Sequence, residues 1–143
     1  MKTTNTLVDD IYMLMKTKNI DKSVDPEAEI DRFGEAVKDL MRKEFTNRGP
    51  FDGRKLRLSN IGKDDRYLWN HYNNAGPKEP MQPHTLVKFM YGHLIEEMLL
   101  FLTRLSGHKV TDEQKVCEVE GIVGHMDCRI DGVVTDVKSA SSY

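Results

Sequence analysis

The dipeptide Asp131-Gly132, set between two runs of alternating side chains, constrains this chain more than any other feature. A two-residue type I′ turn needs positive φ at both central positions, and Asp-Gly supplies it at little steric cost. Such a turn sets a register: Ile130 opposite Val133, Arg129 opposite Val134, Cys128 opposite Thr135, Asp127 opposite Asp136, Met126 opposite Val137 and His125 opposite Lys138. Cross-strand partners share a face, so His125, Asp127, Arg129, Val134, Asp136 and Lys138 are expected on a polar side. Met126, Cys128, Ile130, Val133, Thr135 and Val137 are left for the core. Asp127 and Asp136 would then face each other with Cβ atoms about 4.5 to 5.5 Å apart, which destabilises a hairpin unless a cation lies between them.

Helical signals dominate ahead of the hairpin. Leu7, Ile11, Leu14 and Met15 follow helical spacing between Thr3 and Lys18, with Asp9-Asp10 in the half where a helix N-terminus favours negative charge. Asp25-Pro26 combines an N-cap with proline at the first helical position, and Ile30, Phe33, Val37, Leu40 and Met41 line one side as far as about Phe45. Gly49-Pro50 and Asp52-Gly53 mark a loop, a short helix is expected from Asp64 to Tyr72, and Asn73 to Pro83 reads as a loop. From Thr85 to Leu105 the residues are apolar almost all round, which predicts a buried helix closed by Gly107. Strand character follows, from His108 to Glu120, across Gly121-Ile-Val-Gly124, and from His125 to Ile130. Helices first and strands afterwards predict an α/β fold of the α+β kind: N-terminal helices, then a buried helix and an antiparallel three-stranded sheet.

A third carboxylate is available on the apolar helix. Glu96 shares its face with Phe89, Gly92, His93, Leu100 and Thr103, and an ionised Glu there needs a partner. Gly92, one turn earlier, would let another element approach closely. Glu97 points roughly 100° away and is the weaker candidate. Oxygen donors from Glu96, Asp127 and Asp136 suit Mg²⁺ or Mn²⁺. Lys138, two residues beyond Asp136, could stabilise an attacking or leaving oxygen or help deprotonate a water. His93 and His125 are expected beside such a site in supporting or packing roles rather than as ligands.

The net charge of −2 and pI near 6.2 do not mark a nucleic-acid binder, but residues 42–66 carry eight basic and four acidic side chains. Arg54, Lys55, Arg57, Lys63 and Arg66 in that stretch are candidate phosphate contacts, or else a solvated surface. Cys117 and Cys128, the two cysteines, lack CxxC spacing, so neither a disulfide framework nor a zinc knuckle is expected. No apolar run approaches the roughly 20 residues of a bilayer span, so no membrane association is expected and a cytoplasmic location is.

Together, Gly92-x-x-x-Glu96, Gly124-His-Met-Asp127 and Asp136-Val-Lys-Ser-Ala140 resemble the ordered motifs of the PD-(D/E)xK nuclease superfamily, above all its RecB-like and lambda-exonuclease-like (YqaJ) phage members. Leu56-Arg-Leu-Ser-Asn-Ile-Gly62 and Arg66-Tyr-Leu-Trp69 resemble the segment ahead of the catalytic core in phage RecB-like exonucleases. The resemblance implies a restriction-endonuclease-like core over residues 56–143 behind an N-terminal helical region at 1–55. It implies Glu96, Asp127, Asp136 and Lys138 as catalytic residues, the Val137 carbonyl as a further metal ligand, and Ser139 near the DNA. Mg²⁺ or Mn²⁺ is the implied cofactor. No iron-sulfur cluster is expected, because the cysteines of the cluster-bearing members have no counterpart here. The implied role is phage DNA recombination or repair in the host cytoplasm, as an exonuclease, alongside a phage recombination or single-strand-binding protein. The superfamily core continues past the DxK strand, so the chain reads as incomplete at its C-terminal end. The alternatives are an endonuclease acting on junctions or single strands, and a catalytically inactive nuclease-like module for DNA binding or assembly.

Overall fold

The computed structural model describes residues 2–46, 57–74 and 81–138. After a 3₁₀ turn at Thr4–Thr6, helix α1 spans Leu7–Thr17 and helix α2 spans Pro26–Phe45. The sequence signals for α2 act as expected: an Asp25 carboxylate oxygen accepts from the amides of Glu27 and Ala28 at 3.1 and 3.4 Å, and Pro26 sits where no amide donor is needed. Asp64 caps helix α3, Asp65–Asn73, in the same way through the amides of Arg66 and Tyr67. Helix α4 spans Pro83–Leu105.

The expectation that the apolar helix is buried along its length holds only for the last turns of α4. Leu100, Thr103, Arg104 and Leu105 are buried, whereas Val87, Phe89 and Tyr91 are 56–64% exposed. Its main neighbours are α2 and α1, and the sheet meets it near its C-terminal end, where Leu100 packs with Cys128 and Ile130, so the first half is less covered among the described residues. Phe33 of α2 stacks on Phe101 with ring centroids 5.2 Å apart. Gly107 then turns the chain at φ 85°, and a Cβ there would come within 2.6 Å of the Asp21 side chain. Asp21 is held in place by its amide, which donates to the Leu105 carbonyl at 3.2 Å. Both the backbone conformation and the close neighbour therefore require glycine.

The single strand expected from His108 to Glu120 is two strands, β1 (Val110–Thr111) and β2 (Lys115–Val119), separated where Asp112 and Gln114 take left-handed φ values of 54° and 50°. The segment expected to run unbroken from His125 to Ile130 also divides, into β3 (Ile122–Met126) and β4 (Cys128–Ile130), and β5 is Val133–Thr135. The three-stranded antiparallel sheet is present, in the order β1-β4-β5, and it is accompanied by a separate β2-β3 hairpin. Asp131 and Gly132 have φ 50° and 85°, as a type I′ turn demands, and Ile130, Arg129 and Cys128 pair with Val133, Val134 and Thr135 in the expected register. A second turn with two positive φ values, Glu120-Gly121, joins β2 to β3; the sequence reading treats Gly121 only as punctuation.

The predicted register does not continue past Cys128. Met126 pairs with Lys115 and His125 with Val116, so the expected pairings of His125 with Lys138, Met126 with Val137 and Asp127 with Asp136 are not made as strand pairs. The physical reason is competition for the same ladder groups: β2 takes up β3 over five residue pairs, and the chain changes sheets at Asp127. The result is a mixed α+β fold of four helices and two small antiparallel sheets among the described residues. Leu100, Cys128 and Ile130 form the buried centre, with Leu7 of α1 and Val110 of β1 packed against it, so the N-terminal helix shares the core of the sheet. Gly124 of β3 supports this arrangement from another side, because a Cβ there would collide with Leu58, whose 3₁₀ turn (Leu58–Asn60) rests on β3.

Candidate metal centre

Glu96 projects from the middle of α4 with its side chain only 14% exposed. One oxygen accepts from the Gln114 side-chain amide at 2.7 Å, and the other lies 3.7 Å from Nδ1 of His93. The backbone amide of Gln114 in turn donates to the Asp127 carbonyl at 2.8 Å. One residue in the tight turn between β1 and β2 thus connects two expected ligands that lie 31 positions apart in the chain. Asp127 sits at the break between β3 and β4, and its Oδ2 accepts from the amide of Val137 at 2.9 Å. That contact brings the segment after β5 alongside Asp127 although no strand ladder reaches so far.

Asp136 and Lys138 face outward. Their carboxylate and ammonium are 2.6 Å apart, with side chains 62% and 77% exposed. This hydrogen bond and the charge of Asp136 raise the Lys138 pKa above the usual lysine value. A lysine so held keeps its proton at neutral pH, so of the two roles expected for it the electrostatic one fits and that of a proton acceptor does not. The donor set of Glu96, Asp127 and Asp136 has the oxygen chemistry that Mg²⁺ prefers. Its placement is incomplete: among the described residues no three His, Cys, Asp or Glu side chains are gathered closely enough to hold an ion.

Glu96 opens onto a groove of about 590 Å³ between α2 and α4, which Asp39, Lys43 and Glu44 line from one side and His93, Glu97, Gln114 and His125 from the other. Glu97, the weaker candidate on helical spacing, borders the same groove as Glu96. Burial, then the neighbouring Glu113 and Glu96, push its carboxyl above the ordinary range. Gln114 and Glu113 are the residues that sequence reasoning missed, and Glu97 ranks below Glu96 there although both border the groove. The polar run Asp112-Glu113-Gln114-Lys115 inside an expected strand was the available signal, since such a run marks a turn. His125 is the exposed residue of β3, opposite Val116, and borders the groove; His93 is exposed beside Glu96. Cys128 is fully buried, and burial followed by the charge of Asp127 pushes its thiol up to about 11, which rules out a thiolate role near neutral pH.

Of the candidate DNA contacts, Arg57, Lys63 and Arg66 are exposed, and the Lys63 ammonium lies 5.3 Å from the Tyr67 ring centroid. Arg54, Lys55 and Ser139 lie outside the described residues. No helix among the described residues is long and apolar enough to cross a membrane. No protein-family model, curated protein or solved structure matches the chain. The class established is therefore that of a mixed α+β domain, and the nuclease resemblance rests on the residues themselves.

Proposed function

We propose that the chain is a metal-dependent DNA nuclease of the RecB-like or lambda-exonuclease-like phage type, acting on DNA ends in recombination or repair. The observation that carries the reading is the hydrogen bond from the Val137 amide to Asp127 Oδ2, which draws the two halves of the motif, Gly124-His-Met-Asp127 and Asp136-Val-Lys138, to one end of the sheet. The neighbouring groove supports it: Glu96 and Glu97 border it together, and a divalent cation there would offset their repulsion of a polyanion. Mg²⁺ or Mn²⁺ held by Glu96, Asp127, Asp136 and the Val137 carbonyl would supply Lewis-acid stabilisation and an activated water. Lys138 contributes positive charge where negative charge develops on the phosphate, and Arg57, Lys63 and Arg66 hold the backbone through salt-sensitive contacts.

Degradation of end-labelled DNA with and without Mg²⁺ tests the reading. Asp136→Ala and Lys138→Ala should each reduce Mg²⁺-dependent degradation by roughly 10²-fold or more while leaving salt-dependent DNA binding in place. Unchanged degradation in both variants would show that these residues do not carry the chemistry. A second reading, an inactive nuclease-like module for DNA binding or assembly, is favoured by the ion pair that occupies Asp136 and by the ungathered carboxylates. It requires a wild-type chain that binds DNA and leaves it intact in Mg²⁺ and in Mn²⁺.

A further inference from the structure

His108 follows the end of α4 and its side chain is completely buried. Its Nδ1 lies 2.7 Å from Oδ2 of Asp131, in the β4–β5 turn, and its Nε2 lies 3.0 Å from Oδ2 of Asp10, on α1. Ionised carboxylates only accept hydrogen bonds, so an imidazole between two of them satisfies both contacts only when both ring nitrogens carry protons. We propose that His108 is a protonation-controlled buckle that fastens α1 to the β4–β5 turn, and that loss of its second proton releases the Asp10 side of the contact.

The surrounding groups define which contact opens. Asp131 has a side chain 13% exposed and makes the shorter bond, and its other oxygen accepts from the Lys109 amide at 3.0 Å. Asp10 is 30% exposed, makes the longer bond, and has Lys2 3.4 Å away as a competing cation. Lys2 also donates to the Ser106 carbonyl at the end of α4. The neutral ring therefore keeps Nδ1–H on Asp131 and turns the lone pair of Nε2 toward Asp10, an acceptor facing an acceptor. The other charged groups that border a cavity of about 310 Å³ with His108 are Asp25, Glu29, Arg32, Arg104 and Lys109; Asp25 caps α2, and Glu29, Arg32 and Arg104 pair among themselves and with Glu113.

Both aspartates stay ionised across the range that matters. The Thr6 side chain, opposed by burial and aided by His108 and Lys2, holds the Asp10 carboxyl below the usual range. For Asp131, burial works against ionisation but is outweighed by the bonds from His108 and the Lys109 amide. Carboxylates held low in the fold stabilise it above their unfolded value of about 3.9 and lose that contribution as pH falls through the lower folded value.

The test is hydrogen exchange of the α1 amides in the full chain from about pH 5 to about pH 9, expressed as protection factors, alongside NMR titration of the His108 ring. The expected result is a fall in α1 protection of about tenfold or more that tracks the His108 titration, since a charge-assisted bond is lost. Asp10→Asn should abolish that pH dependence, because the amide can donate to the neutral nitrogen and accept from the protonated one. His108→Gln should give α1 protection that no longer changes over this range. Should His108→Gln fail to fold, Asp10→Asn still decides. Protection of α1 that stays constant while His108 titrates, or the wild-type pH dependence retained in Asp10→Asn, would overturn the proposal.

Discussion

The two ends of the polar surface along α4 use similar residues to different effect. At the C-terminal end, Arg104, His108, Asp10, Asp131, Glu29 and Glu113 are paired with one another, and Arg104 and His108 are buried. Around the middle of the helix, Glu96 and Glu97 share a groove with Asp39 and Glu44, and a neutral amide, that of Gln114, is what reaches Glu96 most closely. Charges that neutralise each other hold elements together and are costly to break. At Glu97, burial first and then the neighbouring Glu113 and Glu96 raise the carboxyl, so the charge there is less well accommodated than at the paired end.

The comparison can be broken most decisively at Arg104. Arg104→Met should lower the unfolding free energy by about 2 kcal/mol in chemical denaturation, because Glu29 and Glu113 lose their buried cation and keep only the exposed Arg32 as a common partner. A loss no larger than that of a surface substitution would show that the paired end is not a structural fastening. Gly107→Ala should cost about 2 kcal/mol, combining a left-handed backbone with displacement of Asp21, and should appear as a lower thermal midpoint.

The open end should respond less in stability and more in chemistry. Gln114→Ala, which removes the side-chain link between Glu96 and the turn that meets Asp127, should cost about 1 kcal/mol in stability. If the proposed metal site is occupied, its larger effect should be weaker Mg²⁺ binding by calorimetry, and unchanged binding would separate Gln114 from that proposed site. The smallest effect is expected from Glu97→Gln. A carboxyl whose folded pKa is raised destabilises the fold once pH exceeds its unfolded value, so this variant should be more stable than the parent at pH 7, by less than about 1 kcal/mol, and the advantage should vanish near pH 4. A variant less stable than the parent at pH 7 would mean that the Glu97 charge is welcome in the fold.

The features legible in the sequence were those decided by neighbouring residues. Asp25-Pro26 and Asp64 start helices because a capping carboxylate needs only the next three amides, and Asp131-Gly132 turns because its φ angles are a local matter. The helix-then-strand order and the three pairs around that turn follow from the same kind of information. The candidate site was legible as a set of residues and not as an arrangement. Glu96, Asp127, Asp136 and Lys138 could be chosen by chemistry and motif, but the register that placed them opposite each other assumed that β3 had no better partner.

Tertiary structure alone decided that partner. Lys115–Val119 captures Ile122–Met126, Asp127 becomes a junction between two sheets, and the approach of Val137 passes from a strand ladder to one side-chain hydrogen bond. It also decided that α4 is buried at one end only, and that His108 meets Asp10 across 98 positions and Asp131 across 23. Propensities, caps and turns are properties of adjacent residues. Which strand wins a ladder, and which distant carboxylates enclose an imidazole, depend on competition between segments that share no local sequence signal.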